Sequence, residues 1–381
     1  MHAIDPIPME KIKASTPTES DLQAARTWLD TRSIDSETIH VLTFSNNARR
    51  HRKGCVFHRT RYVLDAENYL ELTPGVFIVD IKLCALQAET DLSLRELVEY
   101  YFEICGSYAL EATVETGYRE RPALTSTEEL GAFFSQVPGY RGCNKAIKAL
   151  RYVRNGCRSP LETAFVMMLT MPKSMGGLGI RAVQTNYPVP VTKRYAALTR
   201  RTVFYLDALL ENSMTDIEYN GFYHDEPEQQ AIDEERRNTL RNMGYAVITV
   251  SRHSFFKQSA FRRVMEAIRI REKIWPGRLP GDFPVLQEDL RRFVLRRYYE
   301  YGRRVLTMRE EEASTQREIA SQYPQVDDPS INDVPEPDDM QHVGELAEEL
   351  NVVGEGGARA KDNESRTEDD MIVDLIESML F

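Results

Sequence analysis

The sequence predicts an α/β chain of the α+β type: a smaller α+β domain, a larger αβ core behind it, and an acidic tail without stable structure. Three observations predict this. Between Ile39 and Val250, short runs of β-type composition alternate with stretches whose apolar residues recur at helical spacing. The length of 381 residues exceeds one ordinary small domain and favours two folded units plus extensions. The charge is also unevenly divided. Of 59 acidic and 48 basic residues, 21 and 4 fall from Glu310 onwards, so the first 309 residues carry a net +6 beneath an overall −11. The predicted boundaries are an extension over 1–37, a small α+β domain over 38–157, a core with basic C-terminal helices over 158–308, and the tail over 309–381.

In chain order, Glu19 to Asp30 is a short helical candidate, without the second helix and turn that a helix-turn-helix needs. Two β-like runs, IHVLTF from Ile39 and CVFHRTRYV from Cys55, flank a basic loop, and a third β run is expected from Gly75 to Leu83. Helices follow over Leu92–Ile104, Ser126–Gln136 and Lys145–Val153. The second unit opens on Ser159-Pro160-Leu161-Glu162, with Ser at the cap, Pro at the first helical position and Glu three residues after the cap. That helix runs to about Thr170, and Gly176-Gly177-Leu178-Gly179 then reads as a loop, lacking the Lys-Ser/Thr of a phosphate-binding P-loop. Strands are expected over Gln184–Val191, Thr202–Leu210 and Asp216–Gly221, then a helix from Glu228 to Asn242 stopped by Gly244, then an apolar strand from Tyr245 to Val250. Two arginine-rich helices between Phe261 and Met308 are broken at Trp275–Pro284. The tail is rich in acid, Pro and Gly, and its last thirteen residues, DDMIVDLIESMLF, regain helical spacing.

Five widely spaced cysteines with no CxxC suggest neither a disulfide framework nor a structural zinc site. No apolar stretch of membrane-spanning length and no signal-type start is present, so a cytoplasmic protein without membrane contact is expected.

The chemistry concentrates between Asp207 and Gly244. Asp207 lies inside an apolar strand, and Glu218 and Asn220, two apart in the next strand, project from one sheet face. If the strands are neighbours, Asp207 and Glu218 converge. Hard cations such as Mg²⁺ or Mn²⁺ take oxygen ligands and keep several waters, so a carboxylate pair on rigid strands is a minimal site for hydrolysing a phosphodiester.

The order of Glu162 on an opening helix, the Asp207 strand, Ile217-Glu218-Tyr219-Asn220-Gly221-Phe222-Tyr223-His224, and Asp233-x-x-Arg236-x-x-x-Leu240-x-x-x-Gly244-Tyr245 before an apolar strand resembles the PD-(D/E)XK superfamily. The nearest branch is similar to very-short-patch-repair endonucleases. Gly54-Cys55-Val56-Phe57-His58-Arg59 and Pro138-Gly139-Tyr140-Arg141 are similar to AbiEi-type antitoxins or regulators. The first resemblance implies a restriction-endonuclease-like mixed sheet flanked by helices, Asp207 and Glu218 as metal ligands, Glu162 as a helper near the metal, and His224 as proton carrier or phosphate contact. It implies a divalent-metal-dependent DNA endonuclease, in phage defence or DNA repair. The superfamily's lysine falls at Asn220, where this branch usually has Asp, and the usual Arg two residues before the strand Asp is Tyr205. The second resemblance implies the rival reading: a non-catalytic antitoxin or transcriptional regulator that uses a degenerate nuclease fold for binding.

Each residue also has a plainer role open to it. Glu162 fits a capping box, Asp207 an ordinary ion pair, Glu218 solvent-facing strand decoration and His224 a turn. Asp233 and Arg236, three apart, fit a local salt bridge. Arg49, Arg50, Arg52 and Lys53 of the basic loop, with Arg236 and Arg237 and the arginine pairs of the C-terminal helices, are the candidates for phosphate contact, since guanidinium forks match phosphate. The acidic tail and its terminal amphipathic segment are the candidates for docking a protein partner or covering the chain's own basic face.

Overall fold

The computed structural model describes residues 17–32, 34, 38–43, 53–59, 65–111, 114, 117–220 and 227–298; of Arg59, Ala66, Asn220 and residues 227–230 only the backbone is described. It is an α+β protein whose chain divides into two compact units. Arg49, Arg50, Arg52, His224, the acidic tail and the terminal amphipathic segment lie outside the described residues.

The first unit opens with α1 (Glu19–Asp30), begun by a reciprocal capping box between Thr18 and Asp21. Its Trp28, with Ile34, packs against Leu70, Leu72 and Ile78 of the hairpin β3 (Tyr69–Thr73) and β4 (Val76–Val79). Before the hairpin come β1 (Ile39–Thr43) and β2 (Cys55–Arg59), which pair in parallel. The β run expected from Gly75 to Leu83 ends early. Asp80 accepts the Leu83 N–H at 2.8 Å and so caps a helix, α2 (Ile81–Gln87), inside the segment expected to be extended. Tyr69–Thr73 was not expected as a strand. α3 (Leu94–Ile104) begins at a Ser93/Glu96 capping box and buries Leu97, Val98, Tyr101, Phe102 and Ile104. Two short strands, β5 (Tyr108–Leu110) and β6 (Tyr118–Glu120), precede α4 (Thr127–Gln136) and α5 (Cys143–Leu150).

The second unit is built on a four-stranded mixed sheet in the order β10-β9-β8-β7. β7 (Val183–Pro190) and β8 (Val203–Leu210) run antiparallel, as do β8 and β9 (Thr215–Asn220), whereas β9 and β10 (Ala246–Ser251) run parallel. β7 carries Pro188 and Pro190, which lack the N–H a second neighbour would require, and it is an edge strand. The parallel pair demands a crossover, supplied by α7 (Pro227–Asn242). Gly244 ends it at φ +97°, the left-handed value that favours glycine. Leu240 of α7 joins Val189, Phe204, Leu206 and Leu209 in one apolar cluster.

Helix α6 (Pro160–Thr170) precedes the sheet and is buried on nearly every side. The glycine loop after it is more than a breaker. A Cβ at Gly176 would lie 2.1 Å from the Leu286 carbonyl oxygen, and one at Gly177 2.1 Å from that of Met171. The glycines therefore let the backbone approach both segments closely. After β10 come α8 (Arg252–Phe256), α9 (Gln258–Arg271) and α10, described over 283–298. Phe255 packs edge-on against Phe165 at 5.4 Å and stacks with Phe261 at 5.7 Å, which joins α6, α8 and α9. Arg291, one of the arginines expected to line a phosphate groove, is instead buried, donating to the carbonyls of Phe255 and Phe256 at 3.1 and 2.8 Å and pairing with Glu288 at 2.9 Å. Its charge serves packing between helices. No helix among the described residues is long and apolar enough to cross a membrane.

Candidate active site

Asp207 and Glu218 lie just beyond the point where β8 and β9 part, and the Asp207 charge reaches Glu218. The β8/β9 ladder pairs Leu210 with Thr215, Leu209 with Asp216 and Ala208 with Ile217, and ends there. One further step would set Asp207 directly opposite Glu218. Instead the Asp207 carboxylate accepts the Tyr219 N–H at 2.9 Å, taking the place of a β8 carbonyl in a continued ladder. The β7/β8 ladder skips the same residue, because Asn186, which would face it, is in the left-handed region at φ +47°. The irregularity redirects side chains. Strict alternation would separate Phe204 and Leu206 from Leu209, yet all three lie in the cluster around Leu240. Asp207 thus occupies a break in the sheet with an ion-binding type of side chain in the fork.

Glu162 reaches the same fork from the first turn of α6. Ser159 caps the helix by accepting the Glu162 N–H at 3.2 Å, as the sequence predicts. The return contact differs from a capping box: the Glu162 carboxylate accepts the Arg158 N–H at 2.8 Å and the Ser159 hydroxyl at 3.2 Å. Burial, and then the neighbouring Asp207 charge, push its pKa up to about 7. Burial also raises the pKa of Asp207, against the Tyr219 N–H and the charges of Arg236 and Arg158.

The structure adds a residue that was not singled out from the sequence. Asp216 is 0 % exposed, and neither of its carboxylate oxygens has a hydrogen-bond partner. Burial, then repulsion from Glu218, raise its pKa to about 8. A signal for it was present: in Asp216-Ile217-Glu218-Tyr219-Asn220 the even positions are polar and the odd ones apolar, so Asp216 shares the face of Glu218. The pairing of Glu218 with Asn220 took the second and third polar positions and passed over the first. Asn220 closes β9, and its side chain is outside the described residues.

Arg236 of α7 faces this group. Its Nε lies 2.6 Å from Glu218 Oε1, an ion pair in which the N–H does not point along the contact; its Nη2 lies 4.0 Å from Asp216 and donates to the Tyr205 carbonyl at 2.8 Å. The guanidinium also sits 5.6 Å over the Phe204 ring. Its side chain is 15 % exposed, so it is turned inward rather than offered to a phosphate. Arg237 is half-buried and its charge reaches Glu218, while Lys53 is exposed on the turn before β2. Glu218 itself has a raised pKa, first from burial, with Arg236 opposing and Asp207 and Asp233 adding to the rise.

Four carboxylates, Glu162, Asp207, Asp216 and Glu218, are therefore linked electrostatically in a chain, with the Arg236 guanidinium ion-paired to Glu218. Among the described residues no three His, Cys, Asp or Glu side chains stand close enough to chelate one ion. The residues that could hold a hard divalent cation are the strand carboxylates Asp207 and Glu218, with water completing the shell, and beside them neither Asp216 oxygen has a hydrogen-bond partner. Compared with known proteins, the chain matches no family model, no curated protein and no solved structure.

Proposed function

We propose that residues 158–298 are the folded core of a divalent-metal-dependent DNA endonuclease of the PD-(D/E)XK type, with a restriction-endonuclease-like sheet. The observation that carries this reading is the Asp207 carboxylate taking the Tyr219 N–H where the β8/β9 ladder ends, one step short of Glu218. Asp207 and Glu218 would hold Mg²⁺ or Mn²⁺, which when bound supplies a Lewis acid and acidifies a coordinated water. The Tyr219 N–H orients Asp207. Glu162, with a pKa near 7, can carry a proton between water and the fork at neutral pH without a large energetic penalty in either direction. Arg158 and Arg252, whose charges reach Glu162 and Tyr219 respectively, would be the cations for phosphate oxygens. His224, the resemblance's proton carrier, lies outside the described residues.

The rival reading is a non-catalytic regulator of AbiEi type that keeps this core for binding. The observation favouring it is the Arg236–Glu218 ion pair, which already neutralises one of the two proposed ligands. Incubating the full chain with supercoiled and linear DNA and Mg²⁺ or Mn²⁺, beside Asp207→Asn and Glu218→Gln, separates the two. Endonuclease function requires metal-dependent cleavage that both substitutions abolish. DNA binding without cleavage under every metal supports the regulator.

A further inference from the structure

We infer that the Arg236 guanidinium holds the place of a divalent cation beside Glu218 and Asp216, so that cation binding and the Arg236–Glu218 ion pair exclude one another; this rests on the proposed metal site. Arg236 makes four inward contacts: Nε to Glu218 at 2.6 Å, Nη2 to the Tyr205 carbonyl at 2.8 Å and to Asp216 at 4.0 Å, and the face of Phe204. These fix a delocalised positive charge on the strand face from which a cation would be ligated. With the guanidinium on Glu218 Oε1, a divalent cation on the same carboxylate would meet a like charge at close range. They compete both for the lone pairs and through their like charges.

The compensation that Arg236 provides is incomplete, and this second observation points to an ion. Asp216 is fully buried, two residues from Glu218 on the same strand face, with both oxygens unpartnered. Buried carboxylates are ordinarily hydrogen-bonded, paired or coordinated to metal. One arginine at 4.0 Å satisfies neither oxygen. Asp216 therefore has unused ligand capacity at the spot where the guanidinium stands. When Glu218 is released from Arg236, its carboxylate is free for the ion, and Asp216, which sequence reasoning did not single out, stands beside it on the same strand face.

The experiment is calorimetric titration of Mn²⁺ into the full chain and into Arg236→Gln, Arg236→Lys, Glu218→Gln and Arg236→Gln/Glu218→Gln. The expected result is that Arg236→Gln binds Mn²⁺ at least tenfold more tightly than the wild type. Arg236→Lys, which keeps the charge, stays weak, and the gain disappears when Glu218 is also replaced. A folded Arg236→Gln whose Mn²⁺ affinity is unchanged or weaker, while Glu218→Gln loses affinity, overturns the competition and leaves the metal site standing. Absence of Mn²⁺ binding in every variant overturns the metal site itself, and the inference with it. Should Arg236→Gln not fold, Arg236→Gln/Asp216→Asn, which removes one charge of each sign, is compared with Asp216→Asn alone. The tenfold gain is expected there too, and its absence counts against the inference.

Discussion

Replacing Asp216 by Asn removes a fully buried titratable carboxyl from the sheet. The side chain is 0 % exposed, has no hydrogen-bond partner at either oxygen, and has its pKa raised from 3.8 to about 8. A raised carboxylate pKa means that between those two values the native state binds more protons than the unfolded state. Stability contributed by the neutral acid is therefore complete below the unfolded pKa and lost as pH rises through the native one. The slope is about −1.4 kcal/mol per pH unit for one group, so from pH 5 to pH 8 the wild type loses at most about 4 kcal/mol through Asp216. Asn has nearly the same shape and does not titrate. Urea unfolding followed by circular dichroism in EDTA, at pH 5, 6, 7 and 8, measures the difference. The stability of Asp216→Asn relative to wild type should climb steadily with pH by up to that amount, because Glu162 titrates in both proteins and largely cancels. Parallel stability curves across this range would refute the claim that burial of Asp216 outweighs its pairing with Arg236.

Three further outcomes follow from the same structure. Glu162→Gln should lower cleavage and flatten the acid limb of its pH profile, since the wild-type rate is expected to rise with pH up to the Glu162 pKa near 7; a limb unchanged in pH–rate measurements would remove Glu162 from proton transfer. Gly177→Ala should destabilise the second unit by about 2 kcal/mol or more, read as a lowered urea midpoint, because its Cβ would sit 2.1 Å from the Met171 carbonyl oxygen. Leu240→Ala should cost about 2–5 kcal/mol in the same assay, leaving a cavity between α7 and β8; a loss below 1 kcal/mol would contradict the placement of that cluster.

What could be read from the sequence divides along a physical line. Local codes were legible. Ser159-Pro160 starts α6, Gly244 ends α7, and the apolar runs around Asp207 and Val247 become β8 and β10, because caps, glycine φ and strand composition act over a few residues. The Asp80 cap was equally local but lay within an apolar stretch, Gly75 to Leu83, whose continuity suggested one strand; the cap turned its second half into α2. That the strands carrying Asp207 and Glu218 are neighbours fits the expected order of elements. The break in the ladder at Asp207 was not legible, since it lies opposite Asn186, twenty-one positions away, in a left-handed backbone. Arg236 illustrates the same limit. Its i,i+3 neighbour Asp233 offered a nearby partner, but strand order sends the guanidinium across to Glu218 on β9. Likewise nothing in the run of arginines distinguishes Arg291, which the packing of Phe255 and Phe256 draws into the core.

The proposed endonuclease core rests on Asp207 and Glu218 sharing one cation. Electron paramagnetic resonance of Mn²⁺ titrated into wild type, Asp207→Asn, Glu218→Gln and the double variant tests this directly. The account predicts one bound Mn²⁺ per wild-type chain, with each single substitution weakening binding nearly as much as both together, because the two carboxylates act as a unit. Losses that simply add, or Mn²⁺ bound undiminished in the double variant, would contradict it.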